Sequence, residues 1–212
     1  MIIPVFGATG QVGKRVVQSA LNKGYQVRAF GRNVEYLFDK ENANHQLEVI
    51  KGYVFDEAEV LDAVTGADAV ISVLGGSIDG TDKTRSLGIK NIITQMQKAG
   101  VKRIVALGGM GVLNDASGHF IIEAEDYPEE YKAVGLEHLH AYQYLQQSPL
   151  EWTFVCSPDI LDQDHTGRYV TNADYPPSPN HFQVAAGDIA DFMVNEVTAD
   201  HYLRHRVGIS RL

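Results

Sequence analysis

The stretch Ile2-Ile3-Pro4-Val5-Phe6-Gly7-Ala8-Thr9-Gly10-Gln11-Val12-Gly13-Lys14-Arg15-Val16-Val17 decides the fold of this 212-residue chain. A short apolar run meets three glycines spaced Gly-x-x-Gly-x-x-Gly, and a helical pattern begins directly after them. Strand, glycine loop and helix in this order are typical of the phosphate-binding turn of a dinucleotide-binding fold. The first glycine permits a tight turn, the second lets a pyrophosphate approach the backbone, and the third lets the helix pack closely on the sheet.

Strands and helices alternate through the rest of the chain. We predict strands at 25–30, 47–51, 68–74, 101–107 and 152–156, a short last strand at 207–209, and helices at 11–23, 57–66, 81–99, 128–147 and 189–198. Asp56 and Asp188 are predicted to cap two of these helices. The pattern predicts one domain, residues 1–212, with a Rossmann-like α/β fold: a doubly wound parallel sheet with helices on both faces. Pro4 conflicts with this prediction, because proline removes a ladder N–H from a central strand.

Composition and charge exclude several classes of function. The net charge is −9 and there is no long run of Lys or Arg, so we expect no nucleic-acid partner. Cys156 is the one cysteine, which excludes an intrachain disulfide and fits a reducing compartment. No apolar segment has membrane-spanning length, and no basic region precedes the first apolar run. We therefore expect a cytoplasmic protein without membrane contact.

The end of the second predicted strand indicates which dinucleotide binds. Folds that prefer NAD place an acidic residue about 20 residues past the glycines, where it holds the ribose 2′-hydroxyl. This chain has Arg32 there and no acidic residue before Glu35. A guanidinium can pair with a 2′-phosphate, whereas a carboxylate would repel it. The sequence therefore favours NADP(H) over NAD(H), and the alternative is that Arg32 is a solvated loop residue.

Small or polar residues follow five successive predicted strands. They lie at Gly7–Gly13, Arg32, Tyr53–Asp56, Leu74–Gly76 and Leu107–Gly109. In an open parallel sheet, ligands bind beyond the carboxyl ends of the strands, at the point where the strand order reverses. We therefore expect these segments to form one ligand site.

Five motifs together resemble a known family. They are Gly7–Gly13, Arg32, Gly52-x-Val54-x-Asp56, Trp152-Thr-Phe-Val-x-x-Pro158 and Gly187-Asp-Ile-Ala-Asp-Phe192. Over nearly its whole length the chain resembles the atypical short-chain dehydrogenases/reductases. It is most similar to their single-domain NAD(P)H-binding members, which include NmrA-like proteins and biliverdin-IXβ/flavin reductases.

The resemblance implies a set of cofactor-binding residues. The glycine loop would hold the pyrophosphate, Arg32 the 2′-phosphate, and the later strand ends the adenine, ribose and nicotinamide. The full set is Gly7, Ala8, Thr9, Gly10, Gln11, Val12, Gly13, Arg32, Tyr53, Val54, Leu74, Gly75, Gly76, Leu107, Gly108, Pro158 and Ile160. The chain departs from the family twice: Tyr53 stands where an Asp is common, and Gly108-Gly109 replaces a Ser or Thr.

No catalytic residue is identified from the sequence. The Tyr-x-x-x-Lys pair of short-chain dehydrogenases occurs only at Tyr36–Lys40, after the second strand rather than on the helix after the fifth. That helix and its start offer Tyr127, Tyr131, Lys132, Glu137, His138, His140, Tyr142 and Tyr144, and we interpret each as a surface or core-edge group. Neither His138 with His140 nor His201 with His205 has the neighbours of a metal site, so no metal is predicted.

A missing catalytic acid is compatible with one class of reaction. A hydride can pass from NADPH to a flavin, quinone or similar planar acceptor when the rings are aligned and solvent supplies the protons. We expect loops at about 111–130 and 157–183 to cover such a substrate, and Tyr169, Tyr175, Pro176, Pro177 and Phe182 to offer flat surfaces. The alternative is a non-catalytic NADP-binding regulator of the NmrA-like type. A sugar-nucleotide epimerase or dehydratase is disfavoured by the short C-terminal part, and the oligomeric state stays open.

Overall fold

The computed structural model describes residues 1–36 and 45–212. The strands of this part are β1 (Ile2–Phe6), β2 (Gln26–Gly31), β3 (Leu47–Lys51), β4 (Ala69–Ser72), β5 (Arg103–Gly109), β6 (Glu151–Ser157), β7 (Asp159–Leu161), β8 (Tyr169–Ala173), β9 (Gln183–Ala185) and β10 (His205–Arg211). The helices are α1 (Gln11–Asn22), α2 (Glu57–Val64), α3 (Thr84–Ala99), α4 (Glu129–Gln147) and α5 (Ala186–Ala199).

Eight strands form one sheet in the order β3-β2-β1-β4-β5-β6-β10-β8. All neighbours are parallel except β8, which runs antiparallel to β10 at the edge. The chain moves outward from β1 to β3 and then returns to place β4 on the other side of β1. The predicted doubly wound α/β fold is confirmed, and its strand order reverses between β1 and β4.

Two apolar clusters cover the two faces of the sheet. One packs α1 and α5 against strand residues such as Ile3 and Val5, and the other packs α2, α3 and α4 against residues such as Phe6 and Val70. Successive residues of β1 and β4 point to opposite clusters because side chains alternate along a strand. Burial on both faces explains why these strands have nearly continuous apolar sequences.

Pro4 fits the sheet because its missing N–H falls in a gap of the β1–β4 ladder. Pro4 is paired with Arg28 of β2, while pairing with β4 begins only at Val5. The neighbouring donor on the β4 side, the Ile2 N–H, bonds the Asp68 carboxylate at 2.7 Å. A side chain therefore satisfies the donor that precedes Pro4, and the paired residues of β1 and β4 begin only after the proline.

The two predicted helix caps have different outcomes. Asp56 caps α2 as predicted, since its carboxylate accepts from the Glu59 N–H at 3.0 Å. The prediction for Asp188 is wrong: α5 begins at Ala186, and Asp188 lies inside its first turn. Its buried carboxylate instead accepts from the Thr166 hydroxyl and N–H, both at 2.7 Å, and so holds the segment after β7.

The predicted loop after β6 contains secondary structure. Within residues 157–182 the chain forms β7 and β8, and β7 pairs with β9 in a separate two-stranded parallel sheet. Cys156 is buried in β6 as expected, and burial raises the pKa of its thiol. No helix in residues 1–36 and 45–212 is both long and apolar enough to cross a membrane.

Candidate functional site

One large cavity opens at the carboxyl ends of the strands, across the point where the strand order reverses. It measures about 970 Å³. Its wall includes residues of all five segments that the sequence predicts at one ligand site. Every residue of the predicted cofactor set lines this cavity except Ala8, which is fully buried behind the glycine loop.

The glycine loop borders a concave space that side chains at the glycine positions would fill. Gly7 has a φ of +85°, and a Cβ on it would lie 2.5 Å from the Val73 carbonyl oxygen. A Cβ on Gly13 would collide with the Gly7 carbonyl, so only glycine lets α1 start against this loop. A Cβ on Gly10 would make only an ordinary contact, 3.5 Å from the Gly7 carbonyl oxygen. The loop therefore leaves its backbone accessible to a ligand.

The first turn of α1 suits an anion. Within the described ranges no side chain caps this helix, and its first turn carries no acidic residue. The first N–H groups of a helix lack partners in the helix itself, and the helix dipole places partial positive charge there. Free N–H groups beside an accessible glycine backbone fit the pyrophosphate of a dinucleotide.

The two arginines of the β2 region have different environments. The Arg28 guanidinium is held by Glu48 at 3.1 Å and by the carbonyls of Ala63 and Thr65 at 2.9 and 2.7 Å. Arg32 is exposed at the cavity edge, and no residue in 1–36 or 45–212 pairs with it. Of the two, Arg32 is the cation that is available to a ligand phosphate.

The wall beyond β3 and β4 is apolar and firmly packed. Val54 and Leu74 lie against α3 at Gly88, where a Cβ would meet the Leu74 Cδ1 at 2.7 Å. Tyr53 is 47% exposed, and its ring contacts that of Phe55 edge to face at 5.1 Å. The exposed Tyr53 ring at the cavity edge can stack on a planar group.

Arg85 is a lining residue that the sequence did not indicate. It projects from the first turn of α3 and donates to the carbonyl oxygens of Gly76 and Ser77 at 3.0 and 2.8 Å. Asp82 accepts from the Ser77 and Thr84 N–H groups at 3.2 and 2.7 Å, so the two side chains fix the segment after β4. Burial lowers the pKa of Arg85, which nevertheless remains a cation at neutral pH.

The far end of the cavity is built by α4 and the two long loops. Apolar and aromatic side chains dominate it, among them Met110, Ile121, Tyr131 and Phe182. Polar side chains also line this end, among them Asp126, Tyr127 and His138. Burial raises the pKa of Tyr127, and burial together with the nearby Arg85 lowers the pKa of His138 to about 3. Both side chains are therefore neutral at physiological pH.

Only some of the candidate groups on α4 and its approach reach the cavity. Tyr127, Tyr131 and His138 line it. Glu137 is buried on another side, where it accepts from Lys83 at 2.9 Å and Ser86 at 2.5 Å. The remaining candidates, Lys132, His140, Tyr142 and Tyr144, do not line it. Tyr131 is exposed and Tyr127 and His138 are partly buried, in agreement with surface or core-edge groups, and all three also line the cavity.

The other chemical candidates lie elsewhere. Lys40 of the Tyr36–Lys40 match lies outside the described residues. The residues described contain no group of three or more His, Cys, Asp or Glu side chains that could hold a metal ion. Of the predicted flat surfaces, Phe182 lines the cavity. The prediction is wrong for Tyr169, Tyr175, Pro176 and Pro177, since they lie around the β8 edge, where the Tyr169 ring packs on Phe192.

Comparisons with known proteins agree with this geometry. A family model described as NAD(P)H-binding matches residues 7–200. An uncharacterized chloroplastic protein of Arabidopsis thaliana is 27% identical over 207 residues, which cover 94% of this chain and 71% of that protein. A 3β-hydroxysteroid dehydrogenase/Δ5→4-isomerase of Mycobacterium tuberculosis is 34% identical over 130 residues, covering 54% of this chain but 34% of its own length.

Solved structures extend the comparison to the whole chain. A Streptococcus pneumoniae TIGR4 protein, described provisionally as an NADH-flavin reductase, has a TM-score of 0.84 at 27% identity. The match covers 100% of both chains. The similarity therefore includes the long loops and α4 as well as the glycine loop.

Proposed function

Because the chain belongs to the family of NAD(P)H-binding proteins, we propose that it is an oxidoreductase that passes a hydride from NADPH to a planar acceptor such as a flavin or quinone. The main support is the continuity of the cavity. Its wall runs from the glycine loop and Arg32 to a second end where apolar and aromatic side chains dominate. A cavity with one charged-ligand end and one apolar end suits a dinucleotide beside a flat organic substrate.

The cofactor end would use mainly backbone. The glycine loop and the first turn of α1 would bind the pyrophosphate, and Arg32 would pair with the 2′-phosphate that distinguishes NADPH from NADH. Tyr53 and Val54 would contact the adenine. Leu74–Gly76 would border the ribose, and Leu107, Gly108, Pro158 and Ile160 would border the nicotinamide. These assignments follow from the family resemblance, and they are supported by the position of each residue on the wall of one cavity.

The acceptor end would align a ring and exclude water. A reduced nicotinamide supplies a hydride, and alignment of the two rings accounts for much of the rate when solvent delivers the proton. Met110, Ile121 and Phe182 offer apolar surface for the ring, and Tyr131 offers an aromatic face. They belong to α4 and to the loops at about 111–130 and 157–183 or adjoin them, which supports a substrate-side role for these loops.

The proposal is tested by NADPH oxidation with the purified protein. FMN, riboflavin and a simple quinone are offered in turn, with NADPH or NADH as the donor, and nicotinamide absorbance is followed. We expect turnover with at least one acceptor and a higher kcat/KM for NADPH than for NADH. Tight binding of NADPH without turnover of any planar acceptor would contradict the proposal.

A second candidate function is a non-catalytic NADP-binding regulator. Gly108-Gly109 at the end of β5 supports it, because a hydroxyl group that is often present in related proteins is absent there. A regulator of this kind would bind NADP⁺ and NADPH with similar affinity, turn over no acceptor and capture a protein partner. Calorimetric titration with both cofactors, alongside the turnover assay, separates the two candidates.

A further inference from the structure

We propose that His138 binds the acceptor: its Nε2–H donates a hydrogen bond to a carbonyl oxygen of the acceptor ring at the end of β5. This inference rests on the proposed function for the identity of the ligand, but the geometry of the imidazole is independent of it. His138 lines the cavity, and its buried Nδ1 has no hydrogen-bond partner in the described residues.

The imidazole lies directly over the end of β5. A Cβ on Gly109 would stand 2.7 Å from the His138 Cδ2 and 3.3 Å from its Nε2. Gly109 follows Gly108, which is in the part of the wall assigned to the nicotinamide. The edge of the ring that carries Nε2 therefore occupies the space between the end of β5 and α4, where cofactor and acceptor would meet.

The two ring nitrogens differ in exposure. Nδ1 is sealed from solvent and has no hydrogen-bond partner in residues 1–36 and 45–212. Nε2 is not sealed from solvent, and it also has no hydrogen-bond partner in those ranges. A buried N–H without a partner is rarer in proteins than a buried acceptor without one. The proton therefore belongs on Nε2, which is the nitrogen that a ligand in the cavity can reach.

The surrounding charges keep the ring neutral. Arg85 faces His138 from α3 and disfavours a second positive charge. Glu137, the adjacent residue, favours that charge, but its carboxylate already accepts from Lys83 and Ser86. Burial is the largest influence and also favours the neutral ring. A neutral imidazole acts as a hydrogen-bond donor rather than as a proton donor at physiological pH.

The reaction step balances without a protein acid. The hydride adds two electrons and one proton to the acceptor ring, and negative charge develops on its carbonyl oxygen. The Nε2–H stabilises that charge and keeps its own proton, and solvent then protonates the oxygen. A single preorganised donor of this kind is worth about 100-fold in kcat in a dry site. The smaller charge on a conjugated ring leads us to expect about 10- to 100-fold here.

Kinetics of matched variants test the role. His138→Leu removes the donor and should lower kcat by about 10- to 100-fold, with the KM for NADPH unchanged. His138→Gln retains an N–H and should recover part of the loss. His140→Gln is the control, because His140 lies two residues away on α4, is half-exposed and does not line the cavity. Equal kcat values for wild type and His138→Leu would overturn the proposal.

Two further measurements keep this result separate from the proposed function. Nitrogen-15 NMR of histidine-labelled protein should give the Nε2–H tautomer for His138, with a change in its Nε2 signal when riboflavin or a quinone is added to the NADP⁺ complex. An Nδ1–H tautomer would overturn the proposal. If the wild type binds the ring without turnover and His138→Leu weakens that binding, the proposed reaction fails and the His138 contact stands. If the ring does not bind at all, both fail.

Discussion

The two ends of the cavity are built in different ways. The cofactor end is made of strand ends, glycines and helix N–H groups, with the exposed Arg32 as a cationic side chain that is available to a phosphate. The acceptor end is made of side chains from α4 and two long loops, whose positions depend on packing far from them in sequence. In the proposed function, the first end would therefore recognise a feature common to all dinucleotides, and the second end would select a substrate by a few particular side chains.

The first prediction concerns a substitution that disrupts the cofactor end, and it has the largest expected effect on binding. Gly13→Val should abolish measurable NADPH binding, a loss of more than about 100-fold, because its side chain collides with the Gly7 carbonyl and Ala8. The free energy of unfolding should also fall by about 1–3 kcal/mol, since the side chain overpacks the start of α1. Calorimetric titration and urea unfolding measure the two effects.

A glycine outside the cavity provides the control for that variant. Gly118 has a φ of +85° and no atom within 4 Å of its Cβ position. Gly118→Ala should cost about 1–2 kcal/mol of stability through backbone strain and leave NADPH affinity unchanged. Retention of NADPH binding by Gly13→Val would mean that the ligand does not use the glycine loop.

The second prediction tests the cation of the cofactor end. Arg32→Asp should weaken NADPH binding by about 10- to 100-fold, because a charge-assisted pair with the 2′-phosphate is replaced by repulsion. NADH affinity should stay within about twofold. Lys23→Asp, at the far end of α1, makes the same change in net charge and should alter neither affinity. Equal loss for NADPH and NADH in Arg32→Asp would contradict a role in cofactor choice.

The difference between the ends also explains what the sequence could predict. Gly7, Gly10 and Gly13 are needed by the backbone itself, so their spacing next to a strand predicts their position in the site. Ala8 belongs to the same loop, but its side chain turns to the core, which a list of neighbouring residues does not reveal. Pro4 is compatible with β1 because the paired residues of β1 and β4 begin only at Val5, which the sequence does not indicate.

The acceptor end could not be predicted because it depends on side-chain direction. His138 and His140 are two residues apart on α4, and only the packed structure tells which of them faces the cavity. Arg85 reaches its carbonyl partners across the segment after β4, and no pattern in the sequence indicates that contact. The strand that begins at Tyr169 could have been predicted, since its β-branched residues Val170 and Thr171 are typical of a strand.

The third prediction concerns acid stability of the acceptor end. The pKa of His138 falls from 6.5 to about 3 in the folded protein, so the unfolded chain binds the proton more tightly. Its contribution to stability is present above pH 6.5 and is lost as the pH falls from 6.5 toward 3. At pH 5 the loss relative to neutral pH should be about 2 kcal/mol from this group.

Variants of His138 isolate that contribution. His138→Gln should remove about 2 kcal/mol of the difference in free energy of unfolding between pH 7 and pH 5. His140→Gln should retain the wild-type pH dependence. Urea unfolding at the two pH values measures both. A wild-type and a His138→Gln protein with parallel pH dependence would mean that His138 is protonated in the folded state.

The fourth prediction compares acceptors that differ only in charge, and its expected effect is the smallest. Asp126 and Asp159 line the cavity and are exposed, while Arg85 is engaged by backbone carbonyls beside Asp82. Riboflavin and FMN share one ring, but the phosphate of FMN is repelled by these carboxylates. We expect kcat/KM to be about threefold higher for riboflavin than for FMN at low salt, because exposed charges interact weakly in water.

The ratio of the two kcat/KM values should approach one at high salt, where the charges are screened. Asp126→Asn should raise kcat/KM for FMN alone. A preference for FMN that weakens with salt would instead show that Arg85 binds the acceptor's phosphate, and the acceptor end would then be a second anion site rather than a contrast to the first.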